Sequence, residues 1–162
     1  MQTFLPYPDF DRSAAVLDDR RLGKQRVEAL QILHVLLGLR WNLATGTIEE
    51  FTPRGWRSHP AVLMWVDHEQ VLLRYQRSVC ATWMARGFND TCYEKSVGLV
   101  CLWTATGGDG AAEPPWLGDE ALHRSHQSNL IRKDPETYQP LFPGVPGDLP
   151  YVWPVTKDGL AD

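Results

Sequence analysis

Cysteine is scarce. Cys80, Cys92 and Cys101 are the three in 162 residues, and no two are spaced Cys-x-x-Cys. That excludes a zinc knuckle and a disulfide framework, and it points to reduced thiols in a cytoplasmic protein. Long apolar runs are missing as well. No stretch approaches the ~18 residues that a membrane span needs, so no membrane partner is expected. The opening "MQTFLPYPDF" has neither a basic region nor a sustained apolar run, so it is not expected to be a signal peptide. An overall excess of positive charge is absent too. The formal net charge is −4, so any nucleic-acid contact must come from a local basic surface. Alternating strand patterns are limited to "TIEEF" and "VGLVCLW", both short. "TGGDG" lacks the Lys-Ser/Thr of a phosphate-binding loop.

What is present reads as an all-α protein. At 43% hydrophobic and 22% charged residues the chain has a globular balance rather than a disordered one, and its length suits one domain. The pattern predicts a compact single-domain bundle of three main helices with long irregular loops. The first covers about 13–39, with Ser13 as N-cap. The second covers about 60–86, opened by Ser58 or His59 and Pro60 and stopped at Gly87. The third covers about 118–133. "TCYEKSVGLVCLW" is a further short helix, and "WNLATGTIEEFTPRGWRSH" is a loop punctuated by Gly46, Pro53 and Gly55. A Pro-rich coil over 135–162 lies across the bundle, because Tyr138, Phe142, Tyr151 and Trp153 are an odd set to leave in water.

The charges are unevenly placed. Arg20, Arg21, Lys24 and Arg26 fall within seven residues, and Arg124, Arg132 and Lys133 form a second group. At 100° per residue with Glu28 at zero, Arg21 lies at about +20°, Lys24 at about −40°, Gln25 at about +60° and Gln31 at about −60°. Farther along, Ile32 and Val35 take over that stripe. Glu28 therefore stands where an exposed face becomes a buried one. One reading is a solvated Lys24–Glu28 pair at i,i+4, worth a few tenths of a kcal/mol. The other is a catalytic carboxylate at the floor of an anion-binding cleft. Spacing alone leaves both open. His123 and His126 sit at i,i+3. A metal site needs three or four converging ligands, so none is assigned, and a metal-dependent hydrolase using these two histidines stands as an alternative. Trp116 and Trp153, in Pro-rich loops, are candidates for stacking on bases.

"LDDRRLGKQRVEALQIL" resembles the segment that carries the catalytic glutamate in the phage-type pyrimidine-dimer DNA glycosylases, the endonuclease V type. The family's Asp-x-x-Leu and following Glu correspond to Asp19, Leu22 and Glu28. "WVDHEQVLLRYQRSVCATWMARGFND" is similar to the family's second helix, with its Arg86-Gly87-Phe88-Asn89 ending. "SHQSNLIRKDPETYQP" is similar to its last helix.

The resemblance implies a monomeric helical enzyme that binds double-stranded DNA with a damaged or modified base. It flips a base out and breaks an N-glycosidic bond, with an abasic-site lyase step to follow. No metal or organic cofactor is implied. The nucleophile in that family is the α-amino group. Residue 2 is Gln here, so Met1 is expected to be retained and to supply the amine. A free α-amine has a pKa of about 7.7–8.0 against ~10.4 for lysine, so more of it is neutral near neutral pH. Glu28 would assist sugar opening and elimination. Val27 and Gln31 stand where the family carries arginines, so the cationic contacts fall to Arg20, Arg21 and Lys24. The expected DNA-facing set is these three with Gln25, His123, Arg124, His126 and Lys133. A non-catalytic nucleic-acid-binding member of the same fold is the other alternative.

Overall fold

Asp18 starts the helix around which the rest is packed. Its side chain accepts the Arg21 N–H at 3.0 Å, satisfying one of the orphan donors of a helix start. The helix then runs to a left-handed Gly38 with φ 64°. In the computed structural model, which describes residues 2–156 and 159–160, this helix is α2 (Asp19–Leu37), preceded by α1 (Phe10–Ala15). Leu22, Ala29, Ile32 and Leu33 line one face and are fully buried. Against that face pack α4 (Glu69–Ala85) and α5 (Cys92–Ala105). Gly23 lets α2 and α4 approach closely, because a Cβ there would lie 3.1 Å from the Trp83 ring. The remaining helices are α3 (Pro60–Leu63), α6 (Glu120–Lys133) and α7 (Pro135–Tyr138). One contiguous cluster of buried side chains joins them, with Trp65, Tyr75, Leu99 and Leu122 at its centre.

The bundle is helix-rich, but it is not purely α and has more than three main helices. Residues 39–50, expected to be the end of the first helix and the start of a loop over 41–59 with "TIEEF" as a short strand candidate, form a hairpin. β1 (Leu39–Asn42) pairs antiparallel with β2 (Thr47–Glu50), Trp41 facing Ile48. β2 falls within "TIEEF", whereas β1, at four residues, carries too little alternation to show in the sequence. Trp41 anchors the hairpin, its indole donating to the Lys95 carbonyl at 2.8 Å and its ring covering Gly98. "VGLVCLW" is not a strand but part of α5, which is as long as α6.

Two expected helices are each broken in two. The span 13–39 is interrupted after Ala15, and Ser13 is not an N-cap. Its buried hydroxyl instead bonds both the N–H and the carbonyl of Tyr7. The span 60–86 breaks at residues 64–68, where Asp67 adopts φ 65°, a conformation that costs energy for a residue with a Cβ. His59 does cap α3, accepting the Ala61 N–H at 3.1 Å, and Gly87 ends α4 with φ 89°. Among the described residues the tail is irregular except for α7 and a pairing of β3 (Val155–Thr156) with β4 (Gly159–Leu160). Tyr138, Phe142 and Val145 bury it against the bundle. Among the described residues, no helix is long and apolar enough to cross a membrane.

Candidate active site

Residues 2–7 form neither helix nor strand, yet Thr3, Phe4 and Leu5 are buried. Chain starts normally fray. A buried segment without a strand partner must have its peptide groups met by side chains, and that is what surrounds this one. The Gln2 N–H donates to Glu28 Oε2 at 3.2 Å. The Trp65 indole donates to the Thr3 hydroxyl at 3.1 Å. The Phe4 N–H donates to Gln25 Oε1 at 2.8 Å. Leu5 donates its N–H to His126 Nδ1 at 2.9 Å and accepts at its carbonyl from His123 Nδ1 at 2.7 Å. Gln127 donates to the Pro6 carbonyl at 2.7 Å.

Gln25 is the junction of this network. Its Oε1 also accepts from the Tyr75 hydroxyl at 2.7 Å, and its Nε2 donates to Glu28 Oε2 at 3.1 Å. Burial, and then the negative charge of Glu28, push the Tyr75 hydroxyl well above its ordinary pKa, so it stays protonated and remains a donor. Because Gln25 is 1% exposed, Gln25→Leu leaves the Phe4 N–H and the Tyr75 hydroxyl without their amide partner. A loss of about 1–3 kcal/mol of stability is expected, readable as a lowered urea midpoint with an unchanged slope.

Glu28 itself is half-buried on a ridge between two clefts. The smaller, about 390 Å³, is lined by Gln2, Phe4, Gln25 and the cations Arg20, Arg21, Lys24 and Lys133. The larger, about 510 Å³, is lined by Gln31, His34, Val35, Phe51, Arg54 and Trp56. One carboxylate thus borders a cationic cleft and an aromatic pocket. Trp56 holds φ 67° and stands half out in solvent. His34 is kept neutral by burial and then by the nearby charges of Arg40 and Lys95, which lower its pKa. Its Nε2 is buried without a hydrogen-bond partner among the described residues.

The sequence-derived candidates divide accordingly. Glu28, Arg20, Arg21, Lys24, Gln25 and Lys133 meet around one cleft, although Lys133 lies on a helix far along the chain. Arg21 is partly committed, pairing with Asp18 and lying 3.6 Å from Asp134. Gln25 faces the interior network rather than a ligand surface. His123 and His126 are corrected from surface to core. They are 5% and 0% exposed, because the backbone of Leu5 needs them. Each His123 nitrogen is taken, Nε2 accepting from the Gly118 N–H at 3.0 Å. Both His126 nitrogens are taken as well, Nε2 meeting the Tyr151 hydroxyl at 3.0 Å. The hydrolase alternative thereby loses its ligands. Arg124 lines a separate groove beside Leu149 and Val152 and donates to the Gly144 carbonyl at 3.4 Å. Trp116 is core, its indole donating to the Met64 carbonyl. Trp153 packs edge-on to His59. Met1 lies outside the described residues.

His34, Phe51, Arg54 and Trp56 were not singled out from the sequence, and Gln2 was noted only for its bearing on Met1. The loop "TPRGWRSH" gave one hint, an aromatic flanked by arginines in a Gly/Pro segment. Residues 1–95 match the family model described as pyrimidine dimer DNA glycosylase. No curated protein and no solved structure matches the chain.

Proposed function

Because the chain belongs to the pyrimidine dimer DNA glycosylase family, we propose that it removes a damaged or modified base from duplex DNA and forms an imine with the sugar through the α-amine of Met1. The single observation that carries this reading is the 3.2 Å hydrogen bond from the Gln2 N–H to the Glu28 carboxylate. The preceding residue is one ~3.8 Å Cα step away, so an amine there and the carboxylate can serve the same sugar carbon.

In this reading the neutral amine attacks C1′ and the glycosidic C–N bond breaks, with the bonding pair leaving on the base. Glu28 stabilises the positive charge that develops on the sugar, then relays a proton as the C1′–O4′ bond opens and the imine forms. Arg20, Lys24 and Lys133, exposed around the smaller cleft, hold phosphates and fix the register of the strand. The larger pocket receives the extruded base. Phe51 and Trp56 offer aromatic faces for stacking.

Borohydride reduction in the presence of a duplex with one abasic site tests the chemistry. A covalent adduct is expected, and peptide mass mapping should locate it on the N-terminal peptide. The intact mass of the untreated protein must also include Met1. An adduct on a lysine, or none at all, overturns the amine assignment. Base release without an adduct would leave Glu28 orienting water instead.

A further inference from the structure

The geometry points to His126, with Tyr151 behind it and His123 beside it, as the positioning residues that hold the N-terminal segment against Glu28. This rests on the reading that the N-terminal amine is the nucleophile. All three residues lie outside the stretch matched by the family model, and none lines the two clefts around Glu28.

The argument begins with tautomers. His126 Nδ1 accepts the Leu5 N–H, so it carries no proton. The neutral ring must then carry its proton on Nε2, where it donates to the Tyr151 hydroxyl at 3.0 Å. The bond at one ring nitrogen fixes what the other can do. Without the Tyr151 oxygen the proton would be free to move to Nδ1, where it would face the Leu5 N–H donor to donor. His123 is set the opposite way. Its Nδ1–H donates to the Leu5 carbonyl and its Nε2 accepts from the Gly118 N–H. The two rings, one turn apart on α6, therefore take both polar groups of Leu5, and only neutral rings in these tautomers can do so.

Burial supports this state. It pushes His126 down to about 3, and it lowers His123 as well, so both rings are neutral near neutral pH. Leu5 is fully buried and three residues from Gln2. A segment with no secondary structure of its own transmits any slack at Leu5 directly to the residues beside Glu28. Tyr151 belongs to the Pro-rich tail and tilts over the His126 ring at 4.9 Å. The tail is thereby linked through His126 and Leu5 to the reacting end of the chain.

The test uses the full chain with three variants, His126→Leu, His126→Asn and Tyr151→Phe. The rate of borohydride-trapped imine on an abasic duplex is read beside the affinity for the same duplex and hydrogen exchange at the Leu5 amide. His126→Leu is expected to slow trapping roughly 10- to 100-fold, the scale of a misplacement of about 1 Å. Duplex affinity should hold, and Leu5 exchange should rise. His126→Asn places an acceptor where Nδ1 was and should recover most of both losses. Tyr151→Phe, which removes one oxygen and keeps the ring, should slow trapping by a smaller factor and raise Leu5 exchange. If His126→Leu fails to fold, Tyr151→Phe decides alone. Trapping and Leu5 exchange equal to wild type in Tyr151→Phe overturn the proposal. So does His126→Asn losing as much as His126→Leu, because packing rather than the hydrogen bond would then be responsible. A wild-type protein that gives no adduct while its Leu5 amide stays protected overturns the amine reading itself, and with it the catalytic purpose of the hold. The two failures are therefore distinguishable.

Discussion

Glu28→Gln is expected to reduce base release by roughly 10²–10⁴-fold, the range for removing a positioned acid–base group, while leaving affinity for duplex DNA intact or slightly tighter. The substitution separates charge from geometry. A glutamine side chain has the same length and keeps an oxygen that can accept the Gln2 N–H and the Gln25 amide, both of which reach Glu28 Oε2 in the native protein. The network through Gln25 to Phe4 and Tyr75 then survives, and the N-terminal segment stays where it is. What disappears is the negative charge at the ridge between the clefts. That charge counts most when the sugar becomes cationic, so the loss should fall on kcat and not on KM. Arg20, Arg21, Lys24 and Lys133 share the smaller cleft with Glu28. Removing a carboxylate from among them lowers competition for phosphates, which is why affinity should not fall. Single-turnover base release and duplex binding, measured on the same preparation, check both halves. An unaltered rate sinks the role given to this carboxylate. Glu28→Ala is the poorer probe, because it also drops both hydrogen bonds and lets the chain start loosen.

Glu28 could be found in the sequence because its setting is local. The residues of its stripe, Arg21, Lys24, Gln25 and Gln31, lie within seven positions of it on one helix, and 100° spacing places them together. The core of α2 was legible for the same reason. For the misplaced histidines the physical cause is that their partners are distant. His123 and His126 at i,i+3 look like the polar face of an amphipathic helix until the Leu5 backbone, 118 and 121 residues away, makes them necessary in the core. The helix breaks were hidden because apolar residues continue across them. Leu17 is buried beyond the end of α1, and Met64 and Trp65 are buried between α3 and α4. The aromatic pocket depends on Phe51 and Trp56 being carried back to α2 by a hairpin whose strands have four residues each.

The Arg86-Gly87-Phe88-Asn89 ending was legible only as a resemblance, and packing now gives it a reason. Arg86 donates to the carbonyls of Leu17 and Ala15 and to Asp19, which ties the end of α4 to the joint between α1 and α2. Gly87 supplies the left-handed stop. Phe88 stacks on Trp83 at 4.0 Å, and the Asn89 carbonyl accepts from the Trp83 indole at 2.9 Å. These contacts stand away from the clefts, so the motif serves the frame of the site and not its chemistry.

The residue that follows this motif should matter most for stability. Asp90→Ala is expected to cost about 3–5 kcal/mol, the range for breaking a buried ion pair from one side. The Asp90 side chain is 3% exposed and pairs with Arg26, itself 14% exposed. Arg26 lies over the Trp83 ring at 4.5 Å, so truncating Asp90 leaves a guanidinium held against that ring without its counter-charge. The same carboxylate accepts the Tyr93 N–H at 3.0 Å, so the start of α5 loses a capping acceptor as well. The pH dependence gives a second signature. Burial alone would raise the Asp90 pKa, but the Tyr93 amide and the Arg26 guanidinium outweigh it and hold the carboxyl below its ordinary value. As pH falls, the unfolded chain therefore takes up the proton first. The stabilisation is present above the ordinary value of about 3.9 and is lost as pH falls through the folded value. Urea unfolding near pH 7 should separate wild type from Asp90→Ala fully, and the gap should narrow in strong acid. Equal midpoints near pH 7, or a gap that persists unchanged in acid, would mean that the pair is not what holds α2, α4 and α5 together. If the pair is the cause, replacing both partners by apolar residues of similar volume should recover much of the loss, because no charge is then left buried without a partner.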